Sequence, residues 1–116
     1  MCHHRHLAHA DPFQRPGDED ITAHVDFSAL AAAARDAGAK ILGFAIQAQF
    51  LVNCGITDVL AEANAENALV YAPIAAQAQK LLSPAEMGEL FKVLALGRGV
   101  EGPLLGFARG DRAHAL

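Results

Sequence analysis

The amino-acid sequence predicts an α/β fold in which helices flank a sheet that closes with an antiparallel pair of strands. Three observations support this prediction. An amphipathic helix has clear start and stop signals, a nearly continuous apolar strand follows it, and two short apolar strands come near the C-terminal end. A helix followed by a buried strand is half of a β–α–β crossover. The 116 residues suffice for one small domain or for part of a larger one.

The composition limits both the core and the partners. Hydrophobic residues make up 53% of the chain, but 25 residues are Ala and none is Trp, so little apolar area is available per residue. The net charge of −4 comes from interspersed charges, which argues against nucleic acid as a partner. No apolar run is long enough to span a membrane, and the first residues lack the apolar core of a secretory signal. Cys2 and Cys54 have no disulfide or zinc-ribbon spacing, so we expect free thiols in the cytoplasm.

The N-terminal third predicts an irregular segment, a strand and a helix. We expect residues 1–20 to form a short strand and a loop, because a Pro–Gly pair and three acidic residues close the segment. Apolar and polar residues alternate over 21–27, which predicts a half-buried strand. Residues 27–37 follow as a helix, with Asp26 as its N-cap and Gly38 as its left-handed C-terminal residue.

The middle of the chain predicts a buried strand and then helices. Residues 40–46 are almost continuously apolar, which favours a strand covered on both faces in a parallel sheet. A short helix over 47–55 ends at its glycine, and Thr57 can cap the next helix, over 58–69. Three residues of that helix are expected to face inward: Val59, Leu60 and Ala63. Pro73 breaks the helical register before a helix over 74–82.

The strongest helix-start signal of the chain lies after that helix. The pattern is a capping box, with Ser83 at the N-cap, Pro84 at the first helical position and Glu86 three residues after the serine. It predicts a helix over 83–91.

The C-terminal quarter predicts the closing part of the sheet. Residues 91–97 and 103–107 are expected to form an antiparallel strand pair at a sheet edge. We therefore take 21–108 as one α/β subdomain and expect 109–116 to be a frayed tail.

Two motifs suggest chemistry but have simpler explanations. One motif is a cluster of four N-terminal histidines and a cysteine that could bind a transition metal: Cys2, His3, His4, His6 and His9. Their spacing matches no structural zinc site, so solvent-exposed histidines at a strand edge are the better interpretation. Gly97, Gly99 and Gly102 match the GxGxxG fingerprint. A dinucleotide site needs a helix directly after these glycines, whereas Pro103 and a strand-like segment follow, so a hairpin loop explains them better.

Three separated blocks resemble one protein family. DITAHVDFSAL, GAKILGFAIQAQFLVNCGI and EMGELFKVLAL resemble, in this order and at similar spacing, the C-terminal third of MidA-like class I S-adenosylmethionine-dependent methyltransferases. The resemblance implies the C-terminal part of a Rossmann-like sheet in which one strand is antiparallel. It also implies S-adenosylmethionine as the cofactor and a protein substrate, since mitochondrial members methylate an arginine of a respiratory complex I subunit.

The same resemblance implies that this chain lacks the cofactor site. In the family the Gly-rich cofactor loop follows the first strand, far upstream of the block DITAHVDF, and nothing in this sequence matches it. We therefore expect no cofactor to bind the isolated chain. The segment MCHHRHLAHADPF resembles an internal part of longer relatives, which predicts that Met1 is an internal methionine and that the chain is a fragment.

Candidate site residues follow from position alone. His24, Asp26 and Gln47 flank strand ends, where sheets of this class bind ligands, and His24 and Asp26 would share one strand face and could pair a base with a carboxylate. Their alternative interpretation is structural, as caps and turn bonds; no catalytic residue is assigned. Two other classes of function remain open: a non-catalytic interaction module that self-associates through exposed sheet edges, and a His-rich metal-binding protein.

Overall fold

The computed structural model describes residues 2–4, 7–11, 13–62 and 68–116. The elements in these ranges are, in chain order, β1 (Cys2–His4), β2 (Leu7–His9), β3 (Asp20–Ile21), α1 (Phe27–Asp36), β4 (Lys40–Ile46), α2 (Gln47–Asn53), α3 (Ile56–Glu62), α4 (Ala68–Leu82) and β5 (Lys92–Gly97). Two 3₁₀ turns follow, at Leu105–Phe107 and Ala113–Ala115.

A small antiparallel sheet with strand order β2-β1-β3 opens the chain. The expected strand and loop over 1–20 is therefore a two-stranded hairpin with a loop that leads to β3. The predicted strand over 21–27 is wrong beyond Ile21, because the backbone leaves the sheet there. Val25, on its apolar side, is exposed, and a half-buried strand needs a layer against that side.

Helix α1 begins and ends where the sequence predicts. The Asp26 carboxylate accepts a hydrogen bond from the backbone N–H of Ala29 at 3.0 Å, which satisfies one of the free donors of the first turn. Gly38 follows the helix with φ +80°. At this end the Arg98 guanidinium donates to the carbonyl of Ala37. Two small residues of α1 are buried, Ala31 and Ala34.

The central sheet consists of β4 and β5, which pair antiparallel from Lys40↔Gly97 to Ile46↔Lys92. The prediction of a parallel sheet around 40–46 is therefore wrong for this pair. The antiparallel closing pair exists, but the partner of β5 is β4 and not the segment 103–107. The pair is antiparallel because the helices and turns return the chain to the end of β4 that it left, so the first residue of β5, Lys92, lies opposite the last residue of β4, Ile46.

Both faces of β4 are covered, as its continuous apolar sequence predicts. Successive side chains of a strand point to opposite faces. On one face the rings of Phe44 and Phe27 lie 5.0 Å apart. On the other face Phe107 lies so close to Gly43 that a Cβ there would overlap its ring. Phe107 also packs edge-on against Phe50 at 5.4 Å, which joins α2 to the sheet.

The segment 103–107 is a 3₁₀ turn at its end and not a strand. Gly106 lies directly against the ring of Phe50, where any side chain would overlap it. The turn inserts Phe107 over the sheet, and this side chain is one of the few buried apolar groups. The gain from burying an aromatic ring against two layers outweighs the strand propensity of this short apolar run.

The predicted helix over 83–91 is wrong, because the chain forms a series of turns there. Gly88 lies against the carbonyl of Leu82, where a Cβ would overlap the backbone. The carbonyl of Gly88 accepts from the N–H of Ala48 at 2.9 Å, and the carbonyl of Phe91 accepts from the N–H of Gln47 at 2.9 Å. These turns satisfy the free donors at the start of α2, which no side chain caps.

The C-terminal residues are not a frayed tail. The Asp111 carboxylate accepts from the N–H groups of Phe44 at 3.1 Å and Ala113 at 2.9 Å. The N–H of Arg112 donates to the carbonyl of Phe44 at 2.6 Å. Asn53 donates to the carbonyls of Gly106 and Arg109 at 2.9 and 2.7 Å. The tail thus covers the edge of β4 that faces away from β5.

Helices α3 and α4 differ from their predicted bounds. Thr57 does not cap α3, which begins one residue earlier, at Ile56. Val59 is exposed and Leu60 is half-buried, so only Leu60 fits the expected inward face, and Ala63 lies outside the described residues. Helix α4 continues through Pro73, so the predicted break is wrong. Proline removes one hydrogen bond of the ladder, and the other turns of this 15-residue helix hold.

The molecule is extended for its length. Its radius of gyration is 17.8 Å, whereas a compact chain of this length has about 13 Å. Five apolar side chains are buried in the described residues, and four of them are Ala: Ala31, Ala34, Ala45, Ala78 and Phe107. The core is therefore thin. No helix in the described ranges combines the length and the apolar character that crossing a bilayer requires.

Candidate functional site

The three predicted site residues do not form one cluster with an evident chemical role. Asp26 is engaged as the cap of α1. Gln47 follows the carboxyl end of β4, as predicted, and its side-chain amide donates to the carbonyl of Leu81 at 3.0 Å, which ties α2 to α4. His24 is exposed, and it shares no strand face with Asp26 because β3 ends at Ile21. The structural interpretation thus accounts for Asp26 and Gln47.

The glycine-rich loop after β5 does not fit a nucleotide phosphate. Gly99 and Gly102 have positive φ angles of 65° and 83°, which explains the need for glycine, but a Cβ at either position would meet no atom within 4 Å. A phosphate cradle requires a helix N-terminus directly after the glycines. Here the next element is the 3₁₀ turn at Leu105–Phe107. The loop is also no hairpin, since no strand follows it within the described residues.

One of the N-terminal histidines pairs with a buried acid. The N–H of Asp11 donates to Nδ1 of His9 at 3.2 Å, so Nε2 of His9 carries the proton and donates to Oε1 of Glu19 at 2.7 Å. The Glu19 side chain is 2% exposed, and its Oε2 atom is buried with no hydrogen-bond partner among the residues that the structure describes. The pair fastens β2 to the start of β3.

The histidine cluster gains no support as a metal centre from the parts of the chain that the structure describes. Within them, no three His, Cys, Asp or Glu side chains come together as ligands. His6 and the side chains of Cys2, His3 and His4 lie outside the described set, so the metal hypothesis for them stays untested. The expected free thiol is seen at Cys54, which is exposed.

A shallow apolar groove of about 450 Å³ lies beside α4. Its lining comes from α3, from α4 and from the turn after α4: Leu60, Ala75, Ala78, Gln79, Leu82, Ser83 and Pro84. The groove is open and holds no titratable group, so it offers shape and apolar contact but no means of acid–base chemistry.

Sequence reasoning missed four polar or aromatic residues that fix the architecture. Each of them contacts a residue that is distant in the sequence: Asn53, Asp111, Phe107 and Glu19. The hydrogen bonds of the three polar residues join positions that are 10 to 67 residues apart. Local periodicity carries no signal for such contacts. A single hint was present: Asn53 sits in the last turn of an apolar helix, where an amide is available to bind carbonyl groups of another segment.

The chain matches known proteins in two comparisons. Residues 1–45 match a family model described as "Putative S-adenosyl-L-methionine-dependent methyltransferase". A crystal structure from Burkholderia thailandensis, bound to S-adenosyl-homocysteine and described as a superfamily member and "likely methyl transferase", is 59% identical over 100% of this chain, with a TM-score of 0.88. The native structure of an uncharacterized protein of the same superfamily and organism gives the same identity, coverage of this chain and TM-score. No curated protein matches significantly.

These matches agree with the class of protein that the sequence blocks suggest. The first 45 residues are similar to putative S-adenosylmethionine-dependent methyltransferases, and the whole chain has the mixed α/β fold of the matched part of the solved relatives. The chain spans 30% and 31% of the length of those two relatives. That share agrees with the expectation that it is a C-terminal portion.

Proposed function

We propose that this chain supplies the C-terminal portion of an S-adenosylmethionine-dependent methyltransferase and does not hold the cofactor by itself. The observation that carries the proposal is the 59% identity over the whole chain to a protein crystallised with S-adenosyl-homocysteine, of which the chain spans 30%. The role of the portion is to complete the sheet, which we take to be Rossmann-like, and to wall the substrate cleft. The cofactor cradle lies in the part of the family fold that this chain does not span.

The residues of the described chain support this division. A sulfonium nucleoside needs backbone N–H groups and a helix N-terminus pressed against it. The Gly97–Gly102 loop, the one glycine-rich segment of suitable spacing in this sequence, leads into a 3₁₀ turn instead. Of the substrate-cleft candidates, His24 has a side chain exposed for such a role. We propose it ahead of Asp26 and Gln47, whose polar groups already bind the backbone.

A calorimetric titration tests the division of labour. S-adenosyl-homocysteine is titrated into the purified 116-residue chain, with the Burkholderia thailandensis relative as the positive control. We expect the relative to bind and this chain to show no saturable binding at submillimolar ligand. Submillimolar binding by the 116-residue chain would show that it contains a cofactor site and overturn the proposal.

The finer proposal concerns the methyl acceptor. Mitochondrial members of the family that the sequence blocks resemble methylate a protein arginine, so we propose a protein substrate, with arginine as the acceptor, for the complete cytoplasmic enzyme. The test uses the relative, incubated with a bacterial lysate and isotope-labelled S-adenosylmethionine, and mass spectrometry of the proteins. Label on arginine side chains supports the proposal, whereas label confined to other residues or to small molecules contradicts it.

The alternative of a stand-alone interaction module draws on one observation, the exposed apolar surface. Fourteen large apolar side chains of the described residues are exposed, which is unusual for a free monomer of this size. The similarity to one part of the solved relatives gives another explanation, in which the same surface belongs to the core of a larger protein. A portion of a methyltransferase therefore remains the better account of this chain.

A further inference from the structure

A buried carboxylate on the N-terminal sheet has one oxygen atom to spare. The Glu19 side chain is 2% exposed, and its Oε1 atom accepts from Nε2 of His9 at 2.7 Å. No described residue donates to Oε2, which is buried as well. An anionic oxygen without a donor is costly in a protein interior, so native structures supply a water, an ion or another partner to such an atom. Oε2 of Glu19 is therefore a candidate ligand for a cation.

The register of β1 and β2 shows which N-terminal residues share a face with His9. Cys2 of β1 lies directly opposite His9 of β2. Directly opposite residues of antiparallel strands share a face of the sheet, and so do residues two apart along one strand. Cys2 and His4 therefore belong to the face of His9. His3, between them, belongs to the other face.

The register of β1 and β3 brings Glu19 to the face of His4. His3 lies opposite Asp20, so the preceding residue, Glu19, comes opposite His4 when the register is continued by one position. The hydrogen bond between Glu19 and His9 agrees with this placement, because β2 and β3 lie on either side of β1. The two side chains can meet only by crossing over the middle strand.

The residues gathered on this face offer the ligand types that zinc prefers. Thiolate, imidazole and carboxylate groups all bind Zn²⁺, whereas Ca²⁺ and Mg²⁺ prefer oxygen ligands. Opposite residues of antiparallel strands have Cβ atoms about 5 Å apart, residues two apart along a strand are separated by about 7 Å, and zinc lies about 2 Å from its ligand atoms. Cys2, His4 and Glu19 can therefore reach one ion placed over β1.

His9 has a different role, because both of its ring nitrogens are engaged. Nδ1 accepts from the N–H of Asp11, and Nε2 donates to Glu19. The donor fixes the orientation of the carboxylate and leaves its second oxygen available. Hydrogen bonds of this kind, which orient a metal ligand from outside the ligand set, raise the affinity of metal sites. His9 is thus a positioning residue.

We propose that the N-terminal sheet binds one zinc ion through Sγ of Cys2, the imidazole of His4 and Oε2 of Glu19, with water as the fourth ligand. Of these three groups the described side chains supply only Glu19, so they form no metal centre by themselves. The spacing in the sequence does not predict the site, because its ligands come from two strands and a loop and not from one short motif. The inference does not depend on the proposed function.

Metal titration of the intact 116-residue chain tests the proposal. The protein is purified through a tag without histidine, kept reduced, and titrated with Zn²⁺ by calorimetry and with Co²⁺ by absorption spectroscopy. We expect saturation at one zinc ion per chain and a cobalt spectrum with the near-ultraviolet band of a thiolate ligand. Cys2→Ser is expected to abolish this band. The band of the wild-type chain tests the site even where a variant does not fold.

Neighbouring residues on the opposite face provide matched controls. His4→Ala and Glu19→Gln remove ligands, whereas His3→Ala and Asp20→Asn make the corresponding changes at two paired residues of the other face. We expect each ligand variant to weaken zinc binding at least about tenfold, a loss of about 1.4 kcal/mol, and each control to stay within about twofold. Circular dichroism of the metal-free variants verifies that they fold like the wild type.

His9→Ala separates the positioning of a ligand from ligation itself. We expect zinc binding to weaken about tenfold while the cobalt spectrum keeps the bands of the wild type, because the ligands are unchanged. A changed spectrum would show that His9 is itself a ligand and overturn the assigned ligand set.

Two further results would overturn the proposal. The first is that the wild-type chain shows no saturable zinc binding or no thiolate band with cobalt. The second is that His3→Ala weakens zinc binding as much as His4→Ala does. The second result would show that the histidine-rich end binds metal without regard to the faces of the sheet.

Discussion

At the scale of single residues, the packing of the sheet depends on the absence of a side chain at Gly43. Phe107 occupies the space that a Cβ would need, and its ring also contacts Phe50. The overlap falls on the root of the ring, which cannot swing aside as the end of a flexible chain could. Position 43 therefore has to be glycine for a steric reason, although its φ angle is not positive.

We predict that Gly43→Ala destabilises the β4 region by about 1–3 kcal/mol, the usual cost of overpacking. Hydrogen exchange of the β4 amides measures this as exchange about fivefold faster or more. The control is the same substitution combined with Phe107→Ala, where the ring is gone and the methyl group has room. An equal cost of Gly43→Ala with and without Phe107 would contradict the proposed contact.

At the scale of elements, the turns over 83–91 replace a helix that the sequence predicts strongly. A helix here would lose the carbonyl groups of Gly88 and Phe91 that satisfy the first N–H groups of α2. Two competing variants decide between turns and helix. We predict that Gly88→Ala is destabilising by more than about 1 kcal/mol, because its Cβ overlaps the Leu82 carbonyl.

Glu86→Ala is the matched control for that prediction. In the turns Glu86 is exposed, and only its backbone N–H is bonded, to Ser83. We expect this variant to change stability by less than about 0.5 kcal/mol. A helix that begins with the capping box predicts the reverse. Glu86→Ala would then lower the stability by about 1 kcal/mol, because a capping side chain is removed, and Gly88→Ala would raise it, because alanine favours helix. Exchange rates of the Gln47 and Ala48 amides report the result.

The tail is the second element that the sequence does not predict. Deletion of 111–116 removes the Asp111 and Arg112 groups that bind the backbone of Phe44. We predict faster hydrogen exchange at the Phe44 amide and more aggregation in sedimentation runs, because a second sheet edge becomes free. Asp111→Asn keeps an acceptor oxygen and is expected to stay close to the wild type. Unchanged exchange after the deletion would contradict a docked tail.

Local signals were sufficient where an element is held by its own sequence. Helix α1 has its cap at Asp26 and its stop at Gly38, and β4 and α2 follow their apolar patterns. Prediction failed where distant contacts decide. The segment 103–107 turns because Phe107 finds space over Gly43, and the 21–27 strand ends early because no described layer covers Val25. Of the candidate site, the sequence predicted the Asp26 cap but not the binding of Gln47 to Leu81.

At the scale of the whole molecule, the thin core and the large exposed area predict low cooperativity. A domain of this size normally unfolds in one sharp transition. We expect the isolated 116-residue chain to unfold broadly with temperature and to bind a hydrophobic dye, because few large side chains leave a buried environment. A sharp two-state transition of a monomer would contradict the interpretation that a larger core is missing.

The central claim is that this chain is one portion of a methyltransferase whose cofactor site requires the rest of the fold. Equilibrium dialysis with radiolabelled S-adenosylmethionine tests it most directly. The three samples are this chain, the part of the Burkholderia thailandensis relative that this chain does not span, and the two polypeptides expressed together. We predict retained label in the co-expressed sample and none with this chain. Label retained by the 116-residue chain on its own would contradict the claim.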